Sequence, residues 1–305
     1  MGRSNRGRRL LSGVLLLDKP SGITSQTAVA RAKALLGAAK AGHTGTLDPM
    51  ATGLLPLTFG EATKFSQPLL TADKAYVARI RFGLTTATGD LEGEVLSRSD
   101  FRPQPSVIPE VLARFRGPIE QVPPMFSALK HAGKPLYAYA RAGATVAREA
   151  RRITIRSLDL LDALEDEIVV DVHCSKGTYI RVLAEDIGRA LGCGACLSGL
   201  RRTRVGPFRV EDAITLDALQ DLPESVRAEH LRPMDTIVAD LPCVVLDDEQ
   251  SRHIGHGRSI DCLAPVPRGL VRIYGPGTGF LGLGEVREPG RIEPCRLVAP
   301  TPRIS

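Results

Sequence analysis

Within the eight residues Gly42-His43-Thr44-Gly45-Thr46-Leu47-Asp48-Pro49 the chain gathers an imidazole, two hydroxyls and a carboxylate. An Asp has a reference pKa of about 3.9, so Asp48 is a charged nucleophile at neutral pH without an activating base. Burial would raise that value, and a neighbouring cation would oppose the rise. Taken alone, Asp-Pro reads as a turn and His43 as a hydrogen-bonded loop histidine. A second group points to a polyanion: the stretch from Lys130 to Arg156 carries Arg141, Arg148, Arg151 and Arg152. Such a run fits a clamp on a phosphate backbone or a solvated charged loop. Tyr137 and Tyr139 inside it serve either to stack on bases or to anchor the loop. Cys193-Gly194-Ala195-Cys196 has zinc-like spacing, but no second pair follows at a suitable distance. His253, His256, Cys262 and Cys295 could in principle gather a metal, but their spacing matches no zinc motif, and no metal is expected. Gly275-Pro276-Gly277-Thr278-Gly279 is a turn rather than a phosphate loop, because no Lys-Ser/Thr and helix follow.

The elements around these residues follow from periodicity. Gly13 to Asp18 reads as a short buried strand, stopped by Lys19-Pro20-Ser21-Gly22. Thr24 or Ser25 caps a helix to about Leu36, with Val29, Ala32 and Leu36 on one face and Gly37 as its stop. Residues 38–53 are expected to be loop, and Leu54 to Phe59 a strand. From Ala75 to Phe82, Tyr76, Ala78, Ile80 and Phe82 share one face, while Val77, Arg79 and Arg81 share the other. Residues 107–116 read as helix, and 121–152 show no clear periodicity. Glu167 to Cys174 alternates, with Ile168, Val170 and Val172 inward. Thr178 to Leu191 is a helix with Ile180, Leu183, Ile187 and Leu191 on one stripe, and a short helix follows Thr215. Beyond about residue 240 Gly and Pro are dense. Strands at 243–246, 269–274, 279–286 and 295–298 suggest a small β domain, with a boundary near 233–241.

The bulk properties agree with one large domain and one small one in 305 residues. Aromatic residues are 4% and Trp is absent, so Leu, Val, Ile and Ala must fill the core. The net charge is +6 and thirty-two of the forty basic residues are Arg. That favours a nucleic acid or a membrane surface as partner; codon bias in a GC-rich genome explains the Arg excess as well. Six cysteines in a chain of this size read as reduced thiols. The apolar run from Leu10 to Leu17 is broken by Ser12-Gly13 and lacks a cleavage site, and no run approaches the ~20 residues of a membrane span. A cytoplasmic protein with a disordered basic arm over residues 1–9 is expected.

The Asp48 loop also carries a family signature. Residues 42–57, Gly-His-Thr-Gly-Thr-Leu-Asp-Pro-Met-Ala-Thr-Gly-Leu-Leu-Pro-Leu, continue to Gly60-Glu61-Ala62-Thr63-Lys64-Phe65. Together they resemble the catalytic motif of the tRNA pseudouridine synthase B family. Gly13-Val14-Leu15-Leu16-Leu17-Asp18-Lys19-Pro20-Ser21-Gly22-Ile23-Thr24-Ser25 looks like its first motif, and Tyr76 with Gly83 and Asp90 fits the same pattern. Gln121-Val122-Pro123-Pro124-Met125-Phe126-Ser127-Ala128-Leu129-Lys130, with Gly133, Tyr137, Ala140 and Arg141, is similar to the family's RNA-gripping insertion. Cys174-Ser175-Lys176-Gly177-Thr178-Tyr179-Ile180-Arg181 and Leu200-Arg201-Arg202 match two more blocks. The matches run in family order over about residues 13–210, and the tail is similar to a PUA-type RNA-binding module.

The resemblance implies an α+β pseudouridine synthase fold. A mixed, mainly antiparallel central sheet would be flanked by helices and loops in a catalytic domain over 10–235. The insertion would occupy about 121–152 and a PUA-like β domain 240–305. The implied activity is isomerisation of uridine to pseudouridine at position 55 in the TΨC arm of tRNA. That reaction breaks the bond between ribose C1′ and uracil N1, and the base rotates and rejoins through C5. No atom enters or leaves, so no cofactor is implied. A base in a folded arm must first be flipped out, at a cost of a few kcal/mol. By resemblance Asp48 is the catalytic carboxylate, Arg181 the cation beside it, and Asp90 a support for Arg181. Tyr76 would act in catalysis and stack on the flipped uracil, Tyr179 and Leu200 would wall the pocket, and His43 would meet the RNA. Lys64 and Asp90 join the substrate-binding set. Lys130, Arg141, Arg151, Arg152, Arg201 and Arg202 join the backbone grip. Singly, Tyr76 and Leu200 read as core residues, and Arg181 as a phosphate contact or a surface charge. The expected partner is tRNA, bound by a monomer with no obligatory protein partner. Two alternatives are a guide-RNA-dependent relative and an RNA-folding chaperone, and the latter would have no need of Asp48.

Overall fold

Val14, Leu15, Leu16 and Leu17 form an unbroken apolar row, which suits a strand buried on both faces. In the computed structural model, which describes residues 9–262, 266–288 and 290–299, they lie in β1 (Gly13–Lys19). Gly22, at φ +83°, turns the chain into α1 (Ser25–Leu35). Its N-cap Thr24 accepts a hydrogen bond from the Thr27 amide, and Gly37, at φ +61°, ends it. β2 (Ala41–His43) and β3 (Thr52–Phe59) bracket the Asp48 loop. A 3₁₀ turn and α2 (Gln67–Thr71) lead to β4 (Lys74–Phe82). β5 (Leu84–Thr86) and β6 (Val95–Arg98) make a hairpin whose loop holds Asp90. α3 (Ile108–Arg114) and β7 (Gly117–Gln121) follow. β8 (Lys130–His131), β9 (Lys134–Pro135) and α4 (Leu136–Ala140) form a small module in the insertion. β10 (Arg151–Ala163), β11 (Glu167–Cys174), α5 (Ile180–Ala190) and β12 (Ala195–Val205) return to the sheet. β13 (Phe208–Arg209), β14 (Ile214–Thr215) and α6 (Leu216–Asp221) complete the large domain. β15 (Cys243–Val245), α7 (Asp248–Gly255), β16 (Ile260–Asp261), β17 (Gly269–Tyr274), β18 (Phe280–Glu288) and β19 (Arg291–Leu297) build the C-terminal domain.

The large sheet has ten strands in the order β14-β1-β3-β12-β4-β11-β10-β7, with β13 on β12 and β2 on β3. Only β1/β14 and β3/β12 pair in parallel. This is the mixed, mainly antiparallel sheet of an α+β fold. One of its faces packs Leu15, Leu17, Leu55 and Ile80 against α1 and α5, through Val29, Leu183 and Ile187. The other packs Val14, Leu16, Leu54 and Phe65 against Ile237 and Leu283, and so meets the C-terminal domain. There the Phe65 and Phe280 rings sit edge to face at 5.3 Å. The five-stranded C-terminal sheet, β15-β17-β18-β19-β16, has its own core of Val271, Ile273, Val286 and Ile292.

Several elements differ from the sequence expectation. Ala41–His43 is a strand, because β3 supplies the hydrogen-bond ladder that glycine-rich residues could not favour alone. α5 starts at Ile180, two residues later than expected, with Tyr179 extended at its N-cap. β10 and β12 were not anticipated; register shifts interrupt both. The expected arm lies outside the described residues except for Arg9, which is ordered. Its amide donates to Gly37 O at 2.8 Å and its carbonyl accepts from the Ala39 amide at 3.0 Å.

Candidate active site

The loop between β2 and β3 is held from beneath. Ser25 Oγ on α1 donates to Leu47 O at 3.0 Å and accepts from the Leu47 amide at 2.8 Å. The Thr44 amide donates to Pro56 O at 3.2 Å. Lys19, fully buried at the end of β1, donates to Pro20 O, Ile23 O and Pro49 O at 2.8, 2.8 and 3.2 Å. Burial lowers its pKa to about 8, with the Asp48 charge opposing. These bonds fix the backbone on both sides of Asp48.

The Asp48 carboxylate is the half-open end of a buried charge relay. Arg181 Nε on α5 donates to Asp48 Oδ2 at 2.9 Å; the two side chains are 5% and 35% exposed. Asp90 Oδ2 lies 3.7 Å from the same Nε. Arg181 Nη1 donates to Thr88 O at 2.6 Å and Nη2 to Phe126 O at 2.8 Å, so every nitrogen of the guanidinium is committed. Asp90 is fixed in turn by the Thr88 hydroxyl at 2.5 Å and the Glu92 amide at 3.1 Å. Among the described residues no hydrogen bond reaches Asp48 Oδ1. A fixed carboxylate with one free oxygen can act on a ligand without first breaking a bond.

Asp48 and Arg181 line a cleft of about 530 Å³ together with Asp90, His43, Phe126, Tyr137 and Arg141. His43 Nδ1 accepts from the Gly45 amide at 3.3 Å. Burial, and then the Arg202 charge, lower the His43 pKa, so the imidazole is neutral and keeps its proton on Nε2. Tyr76, Tyr179 and Leu200 are not among the residues that line it. Tyr76 is buried on β4, Tyr179 caps α5, and Leu200 is partly buried on β12. Burial raises the pKa of both phenols, and the Asp48 charge acts on both.

Other expected site residues are placed elsewhere. Lys64 is not in the cleft: its Nζ bonds Glu61 at 2.6 Å and Leu297 O at 3.2 Å, tying the 3₁₀ turn to the C-terminal domain. Arg201 spends its fork on both Asp18 oxygens, at 3.0 and 2.7 Å. Arg202 is 1% exposed, because β12 lies between β3 and β4, and so cannot touch an RNA backbone. Lys130, Arg141, Arg151 and Arg152 are exposed. Arg141 lies 5.5 Å over the Tyr137 ring at the cleft rim, and Arg151 and Arg152 start β10. Among the described residues no group of His, Cys, Asp or Glu could hold a metal. Among the described residues no helix is long and apolar enough to cross a membrane.

Sequence reasoning missed Lys19, Gln121 and the carbonyl of Phe126. Gln121 locks Tyr179 by accepting from its amide at 3.1 Å and donating to its carbonyl at 3.3 Å. Lys19 had a signal: it shares strand parity with the inward Leu15 and Leu17. A backbone carbonyl has none.

Comparison with known proteins extends the picture along the chain. Residues 33–180 match the N-terminal domain of TruB family pseudouridylate synthases. Residues 181–239 match the tRNA pseudouridylate synthase B C-terminal domain, and 242–298 the pseudouridine synthase II TruB C-terminal domain. The chain is 56% identical over 293 residues to tRNA pseudouridine synthase B of Aromatoleum aromaticum, covering 96% of this chain and 94% of that protein. It is 53% identical over 302 residues to tRNA pseudouridine synthase B of Burkholderia mallei, covering 97% of each. Its fold is similar to a chain of an H/ACA RNP bound to a substrate RNA containing 2′-deoxyuridine. There the TM-score is 0.72 and the identity 29%, over 94% of this chain and 85% of that one.

Proposed function

Because the chain belongs to the tRNA pseudouridine synthase B family, and so is an isomerase that forms pseudouridine in tRNA, we propose that Asp48 is its catalytic carboxylate and uridine 55 of the TΨC arm its substrate. The observation that carries this reading is the Asp48–Arg181 pair, with one carboxylate oxygen fixed and the other free in the cleft. A cleft of about 530 Å³ suits a single flipped nucleotide.

In this reading the uridine leaves the arm and its C1′–N1 bond is cleaved with the participation of Asp48. The base turns in place and rejoins through C5. Arg181 keeps the carboxylate in position and compensates its charge. Tyr76, Tyr179 and Leu200 back the turning base, and His43 offers its Nε2 proton to the RNA. Arg141, Arg151, Arg152 and Lys130 grip phosphates around the cleft. The relatives at 53–56% identity, all named for tRNA, favour a tRNA substrate over a guide-RNA-dependent one.

The test is to give the purified protein an isolated, unmodified TΨC stem-loop in EDTA with no other protein, and to map the product. Pseudouridine at position 55 alone is expected. Product at another uridine would overturn the substrate assignment, and a need for metal or a partner would overturn the unaided mechanism.

A further inference from the structure

Arg202 is among the largest fully buried side chains, yet among the described residues no carboxylate forms an ion pair with it. Its Nε donates to Leu54 O at 2.7 Å, Nη1 to Thr46 O at 3.4 Å and Nη2 to Gly45 O at 3.2 Å. Tyr76 lies close enough for the two groups to act on each other: the Arg202 charge favours the ionised phenol, and the phenol favours the charged guanidinium. Arg202 and Tyr76 are directly paired across β12 and β4, so both side chains leave the sheet on the same face. A core built for stability alone would favour an apolar side chain here, since burying an unpaired charge is costly. What the charge does instead is join three parts of the site: the backbone two and three residues ahead of Asp48, strand β3, and Tyr76.

We propose that Arg202 is a positioning residue for pseudouridine formation: it holds the Gly45–Thr46 backbone ahead of Asp48 and sits beside the Tyr76 side chain on the same face of the sheet, keeping the two in one arrangement. The inference rests on the roles given above to Asp48 and Tyr76. Gly45, at φ +138°, fits this role; a Cβ there would lie 3.8 Å from Arg202 Nη1. Gly53 fits it too, since a Cβ there would come within 2.3 Å of Arg202 O, so the close approach of β3 to β12 requires glycine.

The test compares R202M, R202K, Y76F and the R202M/Y76F pair under single turnover at saturating enzyme, with tRNA Kd and thermal midpoint measured alongside. R202M is expected to slow the reaction by about 10–100-fold while the tRNA Kd stays within about twofold, and R202K to recover part of the loss. In the Y76F background the R202M loss is expected to shrink by at least about threefold, because the two side chains are direct cross-strand neighbours on one face of the sheet. Should R202M not fold, R202K with R202K/Y76F carries the same cycle. A rate near wild type in R202M, a loss undiminished by Y76F, or a change in Kd alone would overturn the proposal. D48N separates the two readings. An active D48N overturns the functional assignment; an inactive D48N beside an unaffected R202M overturns this inference alone.

Discussion

The Asp48 cleft and the insertion at 121–152 are both rich in arginine, but they hold it in opposite ways. In the cleft Arg181 is 5% exposed and its nitrogens are committed to Asp48, Thr88 O and Phe126 O. Arg202 is committed to three carbonyls. Within residues 121–152 Arg141 lies over the Tyr137 ring at the cleft rim, and Arg151 and Arg152 are exposed at the start of β10. Arg148 is intermediate, with Nη1 on Pro123 O at 3.0 Å. A guanidinium whose donors are satisfied internally sets geometry, and one with a free fork can take a phosphate. On the proposed reading the first kind of arginine serves the chemistry and the second grips RNA, although the same residue type builds both.

The largest effect that could break this contrast is at Arg181. R181M removes the only side-chain donor on Asp48 among the described residues, and the modification rate at saturating enzyme should fall by about 10²–10³-fold with tRNA affinity little changed. A loss of affinity with a normal rate would put Arg181 with the gripping residues. Asp90 touches Arg181 at a longer 3.7 Å, so D90N should cost less, roughly tenfold in rate, or about 1.4 kcal/mol. The insertion should behave the other way. R141A/R151A/R152A should weaken binding and reduce the slope of log K against log salt by roughly 2–3, while the rate at saturation holds within about twofold. An unchanged salt slope would remove the clamp.

The smallest expected effect is on stability and belongs to neither region. Lys74 donates to Leu69 O, Leu70 O and Ala72 O, and burial lowers its pKa to about 8. An unfolded chain keeps that proton up to the ordinary lysine range near 10.5, so between about 8 and 10.5 the unfolded state binds more protons. Stability from this group therefore rises with pH across that window and is constant below it. Thermal midpoints of K74M should show a flatter rise over the same range than wild type. Lys19, also near 8, should keep part of the rise in place.

How far the sequence could be read follows the same division. Strands whose alternation is undisturbed, such as Lys74–Phe82 and Glu167–Cys174, were legible because one face is buried and the other wet. β12 was not, because register shifts between Leu197 and Gly199 and between Arg202 and Arg204 break its period. β10 failed for a like reason, with shifts at Ile155/Ser157 and Leu160/Asp162. Asp48, Arg181 and Asp90 were reachable from the motif, and the structure brings them together. Arg201 and Arg202 read alike in the chain, as adjacent cations. The alternation of side chains along β12 sends one to Asp18 and the other into the core, and which goes where is set by the strand's place in the sheet. Lys64 sits in the motif by order, yet the fold gives it to the C-terminal domain through Leu297 O. Sequence order locates the loop, whereas the inward or outward direction of a long basic side chain is set by tertiary neighbours.

Asp48 carries the proposed chemistry most directly. The decisive measurement is single-turnover conversion of unmodified tRNA by an excess of wild type and of D48N, with binding of the same tRNA followed in parallel. Asn keeps the size of the side chain and removes its charge. Full conversion by wild type is expected, with no pseudouridine above background from D48N and a Kd within about threefold of wild type. Pseudouridine formed by D48N at a rate comparable to wild type would contradict the account.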